Sequence, residues 1–155
     1  MTTTNHPIRL ALADTLGSAG FLRKGQNWFR QGDEVVEVLN LQKSQYGPQY
    51  YLDYGIWLRA LGEEQQPREQ HCHVRMRLGA VMSSAAQLTQ LLDLEADTPE
   101  HARRSALAEL LATEFLSFAE LCRTTAGLRQ LLAAGRLQHA MVNVAAKAVL
   151  DAGGG

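Results

Sequence analysis

The stretch Asn40 to Leu58, NLQKSQYGPQYYLDYGIWL, decides the fold. Gly47-Pro48 is turn chemistry, and aromatic and β-branched residues flank it, so the segment predicts two antiparallel strands around a turn. In the later strand Tyr50, Leu52, Tyr54, Ile56 and Leu58 share one face, and Tyr51, Asp53, Gly55, Trp57 and Arg59 share the other. The first set is the face that helices should cover. The earlier strand carries a polar row, Asn40, Gln42 and Ser44, at alternate positions.

Outward from this pair the same texture continues. FLRKGQNWFRQ at 21–31 predicts one strand before it, and HCHVRMRLG at 71–79 predicts a fourth after the polar break at 62–70. In the fourth strand alternation puts Cys72, Val74, Met76 and Leu78 toward the core and His71, His73, Arg75 and Arg77 away from it. The strand from Val35 is less regular. Val36 and Val38 alternate with Glu37, whereas Leu39 and Leu41 alternate with Asn40 and Gln42, so the apolar phase shifts by one. A β-bulge near Leu39, or burial on both faces, accounts for such a shift. A bulge would align Asn40, Gln42 and Ser44 with an open face that also carries Tyr51, Asp53, Trp57, Arg59, His71, His73, Arg75 and Arg77.

Apolar spacing over Ile8–Leu16 predicts an opening helix. After Met82 the β texture gives way to Ala, Leu, Glu, Gln and Arg. Thr98-Pro99-Glu100 predicts a helix start with Thr98 as the cap, and the helix should run to about Arg123. Shorter helices follow at 125–134 and 139–152, and the glycines at 153–155 should form a flexible tail. Strands and helices in separate runs predict an α+β domain over 1–152: an antiparallel sheet of about four strands, helices on one face, an N-terminal helix and a C-terminal helical half.

Composition narrows the function. Apolar residues make up 46% and charged residues 20% of 155, with a net charge of -1, so no global field draws the chain to nucleic acid or anionic lipid. Two cysteines, Cys72 and Cys122, are too few for a disulfide framework and suit a reducing cytoplasm. The opening residues have no basic start or long apolar core, and no run reaches the roughly 18 apolar residues of a spanning helix.

GFLRKGQNWFR, VLNLQKSQYGPQYYLDYGIWL and HCHVRMRLG together resemble the bacterial domain of unknown function 4304 family over roughly residues 8–79. The likeness is carried mainly by Asn40-Leu41-Gln42-Lys43-Ser44 and Tyr50-Tyr51. It implies a stand-alone bacterial domain and brings no catalytic residue or ligand with it.

Chemistry-bearing motifs are sparse. His71-x-His73 with Asp53 supplies fewer ligands than a zinc site needs, and no phosphate-cradling glycine loop occurs. Cys72 reads as a core thiol, Glu63-Glu64 as a solvated turn, and Arg103-Arg104 as the outer side of a helix. No catalytic residue, metal or cofactor is therefore assigned. The expected role is a binding module that engages a protein partner, or a second copy of itself, through the open sheet face, with an immunity- or antitoxin-like function as one form. The alternatives are an enzyme built on Asp53, His71, His73, Arg75 and Arg77, and a single-strand nucleic-acid binder that stacks bases on Tyr51 and Trp57. If the face serves binding alone, Trp57 and Arg59 should be dispensable for stability.

Overall fold

A computed structural model describes residues 7–152. Helix α1 (Pro7–Leu16) leads into strands β1 (Leu22–Lys24), β2 (Asn27–Gln31), β3 (Val35–Lys43), β4 (Tyr50–Leu58) and β5 (Val74–Arg77). Helices α2 (Leu78–Val81), α3 (Ala85–Leu91), α4 (Glu100–Leu110), α5 (Leu116–Cys122) and α6 (Thr125–Ala133) follow, then β6 (Met141–Val142) and α7 (Val144–Ala152). The α+β class and the antiparallel sheet agree with the sequence, and the glycines at 153–155 lie outside the described residues. Among those residues the sheet has six strands in the order β1-β2-β3-β4-β5-β6, each antiparallel to its neighbour.

Both additional strands have local causes. Lys24 pairs with Asn27, so Gly25 and Gln26 form a two-residue hairpin loop that splits the expected single strand. Gly25 takes the left-handed φ of 64° which such loops require. Near the C-terminus, Asn143 Oδ1 accepts the Ala146 N–H at 2.7 Å and caps α7. The helix expected from His139 therefore starts at Val144, and Met141–Val142 pair with β5 instead.

No bulge interrupts β3. Its register with β4 is unbroken from Val35↔Leu58 to Lys43↔Tyr50. Val35, Leu39 and Leu41 face the helices, and Val36 and Val38 face the other way; Val38 packs with Phe29, Cys72 and Trp57 in a second, smaller cluster. The phase shift thus reflects burial on both faces. It also puts Glu37 on the helix-covered side.

Glu37 is 1% exposed and accepts from Arg30 Nε at 2.6 Å and from the Tyr54 hydroxyl at 2.5 Å. Arg30 lies directly opposite on β2, donates to the Ala19 carbonyl and stacks over the Phe21 ring. A buried carboxylate needs this degree of satisfaction. Around it the core closes with Tyr54 set edge-on to Phe115 at 5.0 Å. Burial, followed by the nearby Cys122 thiol and Glu37, holds the Tyr54 hydroxyl well above its ordinary pKa.

Two helical details depart from expectation. Helix α4 begins at Glu100 without a side-chain cap from Thr98. Arg103, expected on its outer side, is 2% exposed and donates to the Leu91, Asp93 and Ala96 carbonyls at 2.7, 2.8 and 3.1 Å. It thereby satisfies acceptors where α3 ends, which the helix itself leaves open. Between α4 and α5 the chain widens into a π turn at Leu111–Phe115, and the consecutive Leu110 and Leu111 both reach the core.

Candidate functional site on the second sheet face

Strand register builds the site. Asn40 stands opposite Asp53, Asp53 opposite Arg77, Gln42 opposite Tyr51, and Gly55 opposite Arg75, all on the face away from the helices. Arg77 Nε donates to Asp53 Oδ1 at 3.0 Å while its guanidinium lies over the Tyr51 ring at 4.1 Å from the centroid. The carboxylate and the ring hold the cation in place from two sides. Asn40 Nδ2 donates to Asn27 Oδ1 at 2.8 Å.

This face is not fully open. The segment between β4 and β5 folds back over it, and its 3-10 turn Glu69–His71 packs against β3 and β4. Cys72 lies on this face rather than in the main core, because the regular strand starts only at Val74. Gly55 makes its approach possible: a Cβ there would sit 2.8 Å from Cys72 Sγ. Burial pushes the Cys72 thiol up to about 12, with the Glu69 carboxylate adding to the shift, so it is no nucleophile at neutral pH.

Two adjoining hollows result. One, of about 430 Å³, is lined by Gln42, Asp53, Glu69, Arg75, Arg77 and His139 among others. The second, also of about 430 Å³, is lined by Asn27, Asn40, Gln42, Arg68, Glu69 and Gln70. Gln42, Glu69 and Gln70 line both, so together they form a polar trough across β3, β4 and β5. Arg75 is pinned to its wall by Glu69, with Nε to Oε2 at 3.1 Å.

Of the residues expected on this face, the trough gathers Asn40, Gln42, Asp53, Arg75 and Arg77, with Tyr51 beside them under Arg77. Ser44 lies past the end of β3, where its Oγ accepts the Tyr46 N–H. His71 is exposed at the end of the 3-10 turn. Trp57, Arg59 and His73 hold the other end of the sheet together. Trp57 donates to the Gly62 carbonyl at 2.9 Å and packs on His73 at 4.3 Å between ring centres. Arg59 donates to the Gly32 carbonyl and to Gln31 Oε1. His73 Nδ1 accepts the Leu58 N–H at 2.9 Å, and burial holds its pKa below the ordinary value. These contacts make Trp57 and Arg59 structural, against the expectation that they are dispensable.

Asp53, His71 and His73 do not converge. The His73 backbone pairs with Ile56 and its ring with Leu58, three to five residues along β4 from Asp53, or roughly 10–16 Å at the usual strand rise. Among the described residues no three His, Cys, Asp or Glu side chains come together as a metal set. Sequence reading missed Glu69, Gln70 and His139, which reach the trough from outside regular strands and so carry no alternation signal.

A family model described as Domain of unknown function (DUF4304) matches residues 12–121. The chain belongs to this family. The DUF4304 match runs well beyond the strands that first carried the resemblance, taking in α2, α3, α4 and most of α5, and leaves α6, β6 and α7 outside it. Searches of curated proteins and of solved structures give no significant match. Among the described residues no helix is long and apolar enough to cross a membrane.

Proposed function

We propose that the chain is a binding module that engages a protein partner through the trough across β3, β4 and β5. The observation that carries this reading is the lining: the side-chain amides of Asn27, Asn40, Gln42 and Gln70 stand along one continuous depression. Each amide has donor and acceptor capacity, the complement of a peptide backbone, part of which Asn40 and Asn27 use on one another. Tyr51 and Arg77 at its border are residue types that dominate interface energetics. A bacterial cytoplasmic setting goes with this reading, supported by two buried, unpaired thiols, Cys72 and Cys122. An immunity- or antitoxin-like role is its most specific form.

Single-strand nucleic-acid binding is supported less, because Trp57 is engaged by Gly62 and His73 and is not free to stack a base. The test is affinity capture from the source cell with the wild-type chain and with a Gln42→Lys/Tyr51→Ala variant, each with and without nuclease. The expected result is a protein retained by the wild type, lost by the variant and unaffected by nuclease. Capture abolished by nuclease, or equal capture by both chains, would overturn the reading.

A further inference from the structure

A third hollow, of about 390 Å³, shares Arg77 with the trough and lies between the start of β4, α2 and α3. Its chemistry differs from that of the trough. Its lining includes Tyr50, Tyr51, Leu52, Ala80, Leu88 and Leu92, with Arg77 as the lining cation. An apolar cavity with a few convergent polar groups is the usual form of a small-molecule site, and this volume falls in the range such sites occupy.

The hollow is lined by one charge of each sign. Asp93 Oδ1 is held by Gln49 Nε2 at 3.0 Å and by the Glu95 N–H at 2.9 Å, so a ligand anion has its place at the opposite charge, Arg77. Arg77 spends only Nε on Asp53, and its terminal nitrogens have no hydrogen-bond partner among the described residues. Asp53 and the Tyr51 ring fix the guanidinium plane, so it loses little freedom on receiving an anion.

We propose that this hollow binds a small amphipathic carboxylate, its apolar body against Leu52, Leu88 and Leu92 and its carboxylate on the free nitrogens of Arg77. The site shares Arg77 and the Tyr51 border with the trough but uses a different cavity, and because it is assayed on the purified chain alone its failure is distinguishable from that of the protein-partner reading.

Three isosteric probes test it: 3-phenylpropanoate, 3-phenylpropan-1-ol and 3-phenylpropylamine, titrated into the full chain with amide chemical shifts as readout. The carboxylate should bind with shifts centred on β4 and α3, and the alcohol should bind about tenfold more weakly for want of the charge-assisted pair. The amine should be weakest. Arg77→Gln should bring the carboxylate down to the level of the alcohol, and Ala80→Trp, which fills the hollow from an exposed position, should abolish binding of all three; circular dichroism confirms that both variants are folded. No binding of the carboxylate, equal binding of carboxylate and alcohol, or a preference for the carboxylate that survives Arg77→Gln would overturn the proposal.

Discussion

Arg30 and Glu37 form a bidentate ion pair across β2 and β3, Nε to Oε2 at 2.6 Å, with both side chains almost wholly withdrawn from solvent. Tyr54 donates to the same carboxylate, and Arg123 approaches it to 3.7 Å from the end of α5. Through Arg123, and through Arg30 Nη1 to Glu120 at 3.3 Å, charge is thus added to the apolar packing that joins the sheet to the helical layer.

Removing Glu37 leaves the buried Arg30 with only the exposed Glu120 carboxylate at 3.3 Å and the Ala19 carbonyl. Glu37→Ala should cost about 3–5 kcal/mol in urea unfolding, whereas Arg30→Met/Glu37→Leu, which removes both charges, should recover most of that loss. A double variant no more stable than the single one would show that the pair is not what Glu37 contributes.

Arg103→Met should cost about 3 kcal/mol, because the buried Leu91 carbonyl and the part-buried Asp93 and Ala96 carbonyls all lose their donor. Hydrogen exchange locates the effect. Protection should fall most at residues 88–96, while the most protected amides of β3 and β4 lose no more than the drop in global stability.

Two glycines should respond with opposite sign to alanine. At Gly127 a Cβ would lie 1.9 Å from the Leu121 carbonyl oxygen, a backbone atom that cannot rotate away. Gly127→Ala should reach or exceed the upper end of the about 1–3 kcal/mol typical of overpacking. At Gly79, inside α2, a Cβ meets nothing within 4 Å, and Gly79→Ala should stabilise by about 0.5–1 kcal/mol. Thermal melts of the two variants check both signs.

Acid should destabilise the fold through His73. Its folded pKa lies below the ordinary value of about 6.5, so the unfolded chain takes up this proton first as pH falls. The contribution is complete above the unfolded value and is lost as pH drops toward the folded one. His73→Asn keeps an acceptor for the Leu58 N–H but cannot titrate, so the stability gap between wild type and variant should shift in the variant's favour from about pH 7.5 to about pH 5. A gap constant with pH would rule His73 out as the source.

Trp57 and Tyr51 share a strand face yet should separate cleanly. Trp57→Ala removes packing on the Phe29–Val38–Cys72 cluster and a bond to Gly62, and should cost about 2–4 kcal/mol. Tyr51→Ala, at the exposed border of the trough, should stay within about 0.5 kcal/mol of wild type. Chemical denaturation measures both.

Legibility in the sequence followed periodicity. Alternation in Tyr50–Leu58 named the core face of β4 correctly, and the polar row at Asn40 and Gln42 led to the trough. Periodicity is silent on groups whose environment comes from other segments. Glu37 sits among valines with nothing local to say that Arg30 faces it, and Arg103 resembles any outward helical arginine until the end of α3 wraps round it. The segment 62–73 misled for the same reason: His71, Cys72 and His73 alternate as letters, but the chain there turns over the sheet instead of extending it. Asn143 was a readable cap.

The sheet's strand order, identical to chain order, bears on when each part of the protein can exist. Strands β2 to β5 each pair with the strand just before them in the chain, contacts of the local kind that favour fast folding. Strand β6 closes on β5 only after more than sixty intervening residues have been made. His139 and Met141, which line one side of the trough, arrive with that last strand. One wall of the trough thus depends on the pairing that spans the longest stretch of chain in the sheet, and it is made after every strand of the trough's floor.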